Sequence, residues 1–167
     1  KGNRIPYLAH PMEAAAIVAE MTEDQELIAA AMLHDVVEDT EVTLAEIQEY
    51  FGERIAFYVG GESEDKRRDL PPEQTWLIRK QETIRFLKEK ADKGVKMLAL
   101  ADKLSNMRSI ARDVQSIGDE LWDRFHEKEK SMHGWMYRQI AEALLELRDY
   151  PAWKEYDGLI RMVFEED

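Results

Sequence analysis

Cysteine is absent from the 167 residues. That excludes disulfides and thiolate metal ligands, leaves imidazole and oxygen as the only donors for a metal, and suits a reducing cytoplasm. Glycine and proline are scarce, at 8 and 5 residues, while 44% of the chain is hydrophobic and 35% charged. This composition excludes a disordered chain and favours a largely helical one. No apolar run approaches the length needed to cross a bilayer, so no membrane partner is expected. Cations are outnumbered, with 23 Lys and Arg against 35 Asp and Glu and a net charge of −12. General binding to DNA or RNA is thereby disfavoured, because its nonspecific part comes from Lys and Arg neutralising phosphates. A small anionic ligand remains compatible if cations cluster locally. No signal peptide is visible, and the chain starts at Lys1 without Met, so an upstream piece is expected to be missing.

The length suits one domain, residues 1–167, with a substantial core. Pro6 and Pro11 bias the residues before them away from helix, which makes 1–10 an irregular lead-in and His10 a boundary residue. Apolar spacing predicts a first helix over 12–21, with Pro11 in its first turn. Thr22-Glu23-Asp24-Gln25 has the form of a capping box and opens a second helix that runs to the His34-Asp35 stretch. Thr43-Leu44-Ala45-Glu46 is a second box, and its helix stops at Phe51-Gly52. A short helix over 53–58 is closed by Gly60-Gly61, and a polar loop with Lys66-Arg67-Arg68 and two prolines follows. Further helices are predicted over 73–91, 95–107 after a turn at Gly94, 119–148 as one long or kinked element beyond Gly118, and 151–164. No strand alternation or internal repeat interrupts this all-α pattern.

The stretch His34-Asp35-Val36-Val37-Glu38-Asp39 follows the apolar run 27–33. On a helix, His34 and Glu38 lie about 40° apart, with Asp35 and Asp39 a neighbouring pair on the same broad face. Carboxylates crowded beside a core repel and lose hydration unless a cation or good donors compensate. A divalent metal is the simplest compensation. His10 and Asp102 are two more candidate ligands, the latter inside the nearly all-apolar 95–104, which should be central in a bundle. Two imidazoles and two carboxylates suit Mn²⁺, Fe²⁺ or Zn²⁺ with positions left open for water and substrate. Plainer readings fit each residue singly: a solvated helix end for 34–39, an Arg-paired carboxylate for Asp102, a capping role for His10, a solvated loop for 66–68. His126 and His133 lie in a charged stretch and read as surface residues, whereas Trp135, Tyr137, Ile140, Leu144 and Leu147 have core spacing.

His10, His34-Asp35 and Asp102 follow the order H…HD…D of the HD-domain metal-dependent phosphohydrolases. Pro6-Tyr7-Leu8-Ala9-His10-Pro11, 34–40, Phe51-Gly52 and 100–108 together resemble the (p)ppGpp hydrolase domain of the RelA/SpoT family, over about the first two-thirds of the chain. Ser63-Glu64-Asp65-Lys66 is similar to a loop of its small hydrolase-only members, including the metazoan SpoT-homologue type. The resemblance implies an all-α HD-domain helical bundle and one divalent metal, Mn²⁺ first, on His10, His34, Asp35 and Asp102. It implies Glu38 and Asp39 as the catalytic pair working on the attacking water. It also implies nucleotide or substrate contacts at Asn106, Ser109 and Lys66, with Lys1 and Arg4 matching loosely to a guanine-holding basic segment. Lys103, Arg67, Arg68 and Arg108 are further cations suited to neutralising a pyrophosphate. Gly60-Gly61-Glu62 replaces a more usual Gly-Val-Thr, Ser105 stands where His is common, and no synthetase domain follows. The expected activity is 3′-pyrophosphohydrolysis of a guanosine nucleotide in the cytoplasm, in the setting of the stringent response. The competing readings are an HD-type 5′-nucleotidase or NADPH 2′-phosphatase, and a non-catalytic metal-binding helical module. Oligomeric state is not legible in the sequence.

Overall fold

Local sequence chemistry sets most helix ends. The computed structural model describes residues 6–65, 67 and 69–165, and among these it forms nine α-helices and no strand. Lys1, Arg4, Lys66 and Arg68, named above as substrate contacts or neutralising cations, lie outside the described residues. Helix α1 (Ala9–Met21) starts earlier than expected and takes in His10, because Pro11 falls in the first turn, where no backbone N–H is needed. Helix α2 (Gln25–Leu33) is capped by Asp24 and not by the Thr22 box: Asp24 Oδ1 accepts from the backbone N–H of Glu26 at 3.1 Å and of Leu27 at 3.3 Å. The helix ends at Leu33, so His34 and Asp35 form a turn before the four-residue α3 (Val36–Asp39). Helix α4 (Leu44–Phe51) has the expected Thr43/Glu46 capping box and stops at Gly52, whose φ of 93° favours glycine.

Two glycine expectations are overturned for one reason. Helix α5 (Glu53–Glu62) runs through Gly60 and Gly61, and α7 (Lys93–Ile117) begins before Gly94. These glycines permit close approach: a Cβ on Gly61 would stand 2.8 Å from Val95 Cγ2, and one on Gly94 2.6 Å from the Tyr58 ring. Helix α6 (Pro72–Glu89) lies between α5 and α7 in the chain. As expected, α7 is central, packing on α1, α2, α5 and, through its flank, on α9 (Pro151–Phe164). Leu98, Leu100, Leu104 and Met107 are fully buried on α7, each contributing about 1.5–3 kcal/mol of apolar burial.

The expected helix over 119–148 is instead a 3-10 helix (Gly118–Arg124), an irregular stretch, α8 (Lys130–Ala143) and a second 3-10 turn (Leu145–Leu147). A straight helix would hold Trp122 and His133 about 16 Å apart along its axis. In the fold their ring centroids are 5.1 Å apart, with Trp76 and Phe125 on the same imidazole. His133 is therefore buried and not a surface residue; its Nε2–H donates to the Glu127 carbonyl at 2.9 Å, and burial lowers its pKa. His126 is exposed, as expected.

Candidate metal centre and adjoining cavity

Four chain positions converge beside α7. His10 enters from the first turn of α1, His34 and Asp35 from the turn after α2, and Asp102 from the middle of α7. His10 Nε2 lies 3.2 Å from His34 Nε2, 3.0 Å from Asp102 Oδ1 and 3.5 Å from Asp35 Oδ2. His34 Nε2 lies 3.3 Å from Asp35 Oδ2 and 3.5 Å from Asp102 Oδ1. Each imidazole is held from its far side: His34 Nδ1–H donates to the Ala31 carbonyl at 2.8 Å, and His10 Nδ1 meets Ser105 Oγ at 2.9 Å. Both Nε2 atoms thus turn to one point, and His10, His34 and Asp102 form a set able to hold a metal ion.

The electrostatics suit a cation. Burial alone would depress His34, but hydrogen bonds to Asp102 and Asp35 outweigh it and push its pKa up to about 11. Asp35 is lowered, since His34 overcomes the effect of burial. Asp102 is lowered well below the carboxylate range, with Lys103 overriding burial. Tyr7 adds its hydroxyl to Asp35 and, at 3.3 Å, to Asp39; burial and these carboxylates raise it.

Beside the cluster opens a cavity of about 230 Å³, lined by Tyr7, His10, Asp35, Glu38, Glu62, Glu64, Lys80, Thr83, Asp102, Lys103 and Asn106. Glu38 lines it while accepting the backbone N–H of Glu64 at 2.6 Å, so α3 is tied to the loop after α5. Asp39 is exposed and stands outside that lining, reaching it through Tyr7. Lys103 Nζ bonds Asp102 Oδ2 and, at 3.1 Å, Glu62 Oε1. Asn106 donates to Asp102 Oδ1 at 2.8 Å and fixes that carboxylate. Ser109 lies two turns beyond Asp102 on α7, so on about the same helix face, and is not among the residues lining the cavity. Arg67 pairs with Glu82 at 2.7 Å, and Arg108 with Glu13 and Glu155.

Sequence reasoning missed Glu13, Glu62, Thr83 and Lys80. Lys80 bonds Glu64 at 2.6 Å, and Arg79 joins the same carboxylate. Burial lowers Lys80, its Glu64 partner notwithstanding. Helical spacing offered no signal for it, because a lysine on an amphipathic helix ordinarily faces solvent.

An all-helical bundle that gathers these imidazoles and carboxylates against one central helix has the architecture of an HD domain. The HD domain profile matches residues 1–126, and the chain belongs to that family. Over 105 residues it is 39% identical to the guanosine-3′,5′-bis(diphosphate) 3′-pyrophosphohydrolase of Aquifex aeolicus. Over 108 residues it is 39% identical to the bifunctional (p)ppGpp synthase/hydrolase SpoT of Escherichia coli K12. These matches take in 63% of this chain and 14% and 15% of those proteins, so the chain spans about a seventh of their length. Among solved structures, lmo0812 of Listeria monocytogenes superposes with a TM-score of 0.82 at 30% identity, over 94% of this chain and 99% of that one. A metazoan ortholog of SpoT, described as hydrolysing ppGpp, superposes with a TM-score of 0.74 at 24% identity, over 94% and 81%. At that identity the likeness speaks for the fold. No helix among the described residues is long and apolar enough to cross a membrane.

Proposed function

We propose that residues 1–167 form one HD-type hydrolase domain that removes pyrophosphate from the 3′ position of guanosine tetra- or pentaphosphate in the cytoplasm, giving GDP or GTP. One divalent cation, Mn²⁺ first, would be held by His10, His34, Asp35 and Asp102. The observation that carries this reading is the convergence of those side chains, with both Nε2 atoms presented and both Nδ1 atoms engaged elsewhere. The relatives' printed activities support the choice of substrate.

When bound, such a cation supplies Lewis-acid polarisation of a phosphoryl oxygen and a water made acidic near neutral pH. The chain supplies the rest. Glu38 faces the cavity beside the cluster, held by the Glu64 N–H, and is placed to orient a water and accept its proton. Tyr7 donates its hydroxyl to Asp35 and, more distantly, to Asp39, which keeps Asp39 beside the cluster. Lys80 and Lys103 bring positive charge to the cavity wall, where a departing pyrophosphate needs it. Asn106 holds Asp102 and borders the nucleotide's space.

Incubation of the protein with ppGpp, deoxynucleoside monophosphates and NADPH, each with Mn²⁺, tests the proposal. Loss of ppGpp with appearance of pyrophosphate is the expected result. Phosphate release from either other substrate would move the activity to a phosphatase, and no turnover at all would leave a binding module. Glu38→Gln with Asp39→Asn should retain Mn²⁺ and lower kcat at least about a hundredfold, the usual scale of positioned acid–base catalysis. Calorimetry and pyrophosphate release measure the two effects separately.

A further inference from the structure

We propose that Glu13 sets the tautomer of His10, and with it the metal affinity of the centre, through the hydroxyl of Ser105. The proposal deepens the metal centre above and rests on His10 belonging to it.

The argument is a count of protons. Ser105 is buried in α7, and its hydroxyl has a single proton, which it donates to Glu13 Oε2 at 2.6 Å. Toward His10 Nδ1, 2.9 Å away, Ser105 Oγ therefore offers only lone pairs. That contact is a hydrogen bond only if His10 Nδ1 carries the proton. In a neutral ring Nε2 is then bare, and it is the atom that faces His34 Nε2 and Asp102 Oδ1, the place a cation would take in preference to a second ring proton. A metal needs that lone pair. Ser105 could equally donate to a bare Nδ1, which would place the proton on Nε2 and close the position. Glu13 removes this choice because an ionised carboxylate accepts and cannot donate.

Glu13 is itself held. Arg108 Nη1 donates to its Oε1 at 3.0 Å, and the same guanidinium grips Glu155 of α9 through Nε and Nη2, both at 2.7 Å. All donors along this line point toward Glu13, from Arg108 on one side and from His10 through Ser105 on the other. Glu13 and Ser105 are positioning residues: neither touches the converging Nε2 and carboxylate atoms, and both act through the imidazole. The line also gives the C-terminal helix a connection to the centre.

The isosteric variant Glu13→Gln tests this with little change of volume. Arg108 demands the amide oxygen, so the amide nitrogen turns to Ser105 and donates to it, and the Ser105 hydroxyl turns to donate a hydrogen bond to a bare His10 Nδ1. The expected result is a His10 ring protonated at Nε2, seen in long-range ¹H–¹⁵N spectra of the metal-free protein at alkaline pH with the ring neutral. The wild type should show Nδ1–H. Mn²⁺ affinity measured by calorimetry should fall roughly tenfold or more, as loss of a partner behind a metal ligand ordinarily causes. Adding Arg108→Met to Glu13→Gln frees the amide to present its oxygen to Ser105. The double variant should recover Nδ1–H and part of the affinity, whereas a merely structural role predicts that it is worse than either single change. Circular dichroism checks that each variant is folded. An unchanged Nδ1–H tautomer in Glu13→Gln overturns the proposal, as does Mn²⁺ affinity within about twofold of wild type. A wild type that binds no Mn²⁺ overturns both the metal centre and the affinity half of this proposal, while the spectra still decide whether Glu13 controls the ring.

Discussion

Removing the amine of Lys103 would leave the carboxylates of Asp102 and Glu62 without the cation that now lies between them. Deleting one partner of a buried ion pair costs about 3–5 kcal/mol, but Glu62 has a way to soften the loss. Burial, against the pull of Lys103, pushes its pKa up to about 7. An acid raised in the fold binds its proton more tightly there than in the unfolded chain. Its penalty is absent below the unfolded value near 4.5, builds as pH rises, and is complete above about 7. Without Lys103 the folded value rises further, so the penalty extends to higher pH. Lys103→Met should therefore unfold at lower urea than wild type, by about 3 kcal/mol at pH 8 and by clearly less at pH 6. Added Mn²⁺ should return part of the deficit, because it too would face Asp102. Urea titrations at the two pH values, with and without Mn²⁺, measure all three effects. An equal deficit at both pH values would show that Glu62 does not take up the lost charge.

Element packing constrains the same corner through small residues. Gly61 lies one residue before Glu62 on α5 and against Val95 on α7. Gly61→Ala places its Cβ 2.8 Å from Val95 Cγ2, so the helices must part, at a cost of about 1–3 kcal/mol. The separation would draw Glu62 from Lys103 and lower hydrolysis as well. Val95→Ala opens the space again, so the double variant should be less destabilised than the sum of the singles. Thermal or urea unfolding of the four proteins reads this, and strict additivity would rule out the contact. The same glycines show where sequence reading reaches its limit. Gly60-Gly61 and Gly94 read as helix breakers because glycine is a poor helix former, yet their role is tertiary and depends on a partner helix that no local pattern displays. Asp24 displaced Thr22 as the cap for a local reason, since the first free amides belong to Glu26 and Leu27. The second capping box and the boundaries marked by Gly52 and Pro151 were legible, because each rests on its own few residues, whereas the helix expected to end at Met107 runs on to Ile117. His10, His34, Asp35 and Asp102 were legible as a group through motif order. Lys80 and Glu13 were not, since a charged residue on a helix gives no sign of which neighbour it will meet.

At the scale of the whole molecule, the substrate proposed above, a highly anionic nucleotide, would have to approach an acidic protein. Net charge is −12, and the cavity does not reverse it: Asp35, Glu38, Glu62, Glu64 and Asp102 line it against Lys80 and Lys103. Above the raised Glu62 pKa of about 7, with all five carboxylates ionised, these and the two ammonium groups leave about −3, and a divalent cation would bring that to about −1. The described cations are also engaged, Lys80 with Glu64 and Lys103 with Asp102 and Glu62. The long-range field thus opposes the approaching substrate, and attraction begins only at contact range. Raising ionic strength from about 0.01 M to about 0.15 M shortens the screening length from about 30 Å to about 8 Å. This should weaken the distant repulsion more than the close contacts, which are partly shielded from solvent. KM for ppGpp should accordingly fall over that range while kcat changes little. Steady-state rates at fixed Mn²⁺ across a sodium chloride series measure it. A rise in KM with salt would instead assign substrate capture to steering by cations outside the described lining, because electrostatic steering by positive charge weakens as salt is added, and Lys1, Arg4, Lys66 and Arg68, which the sequence alone suggests, would be the first to substitute.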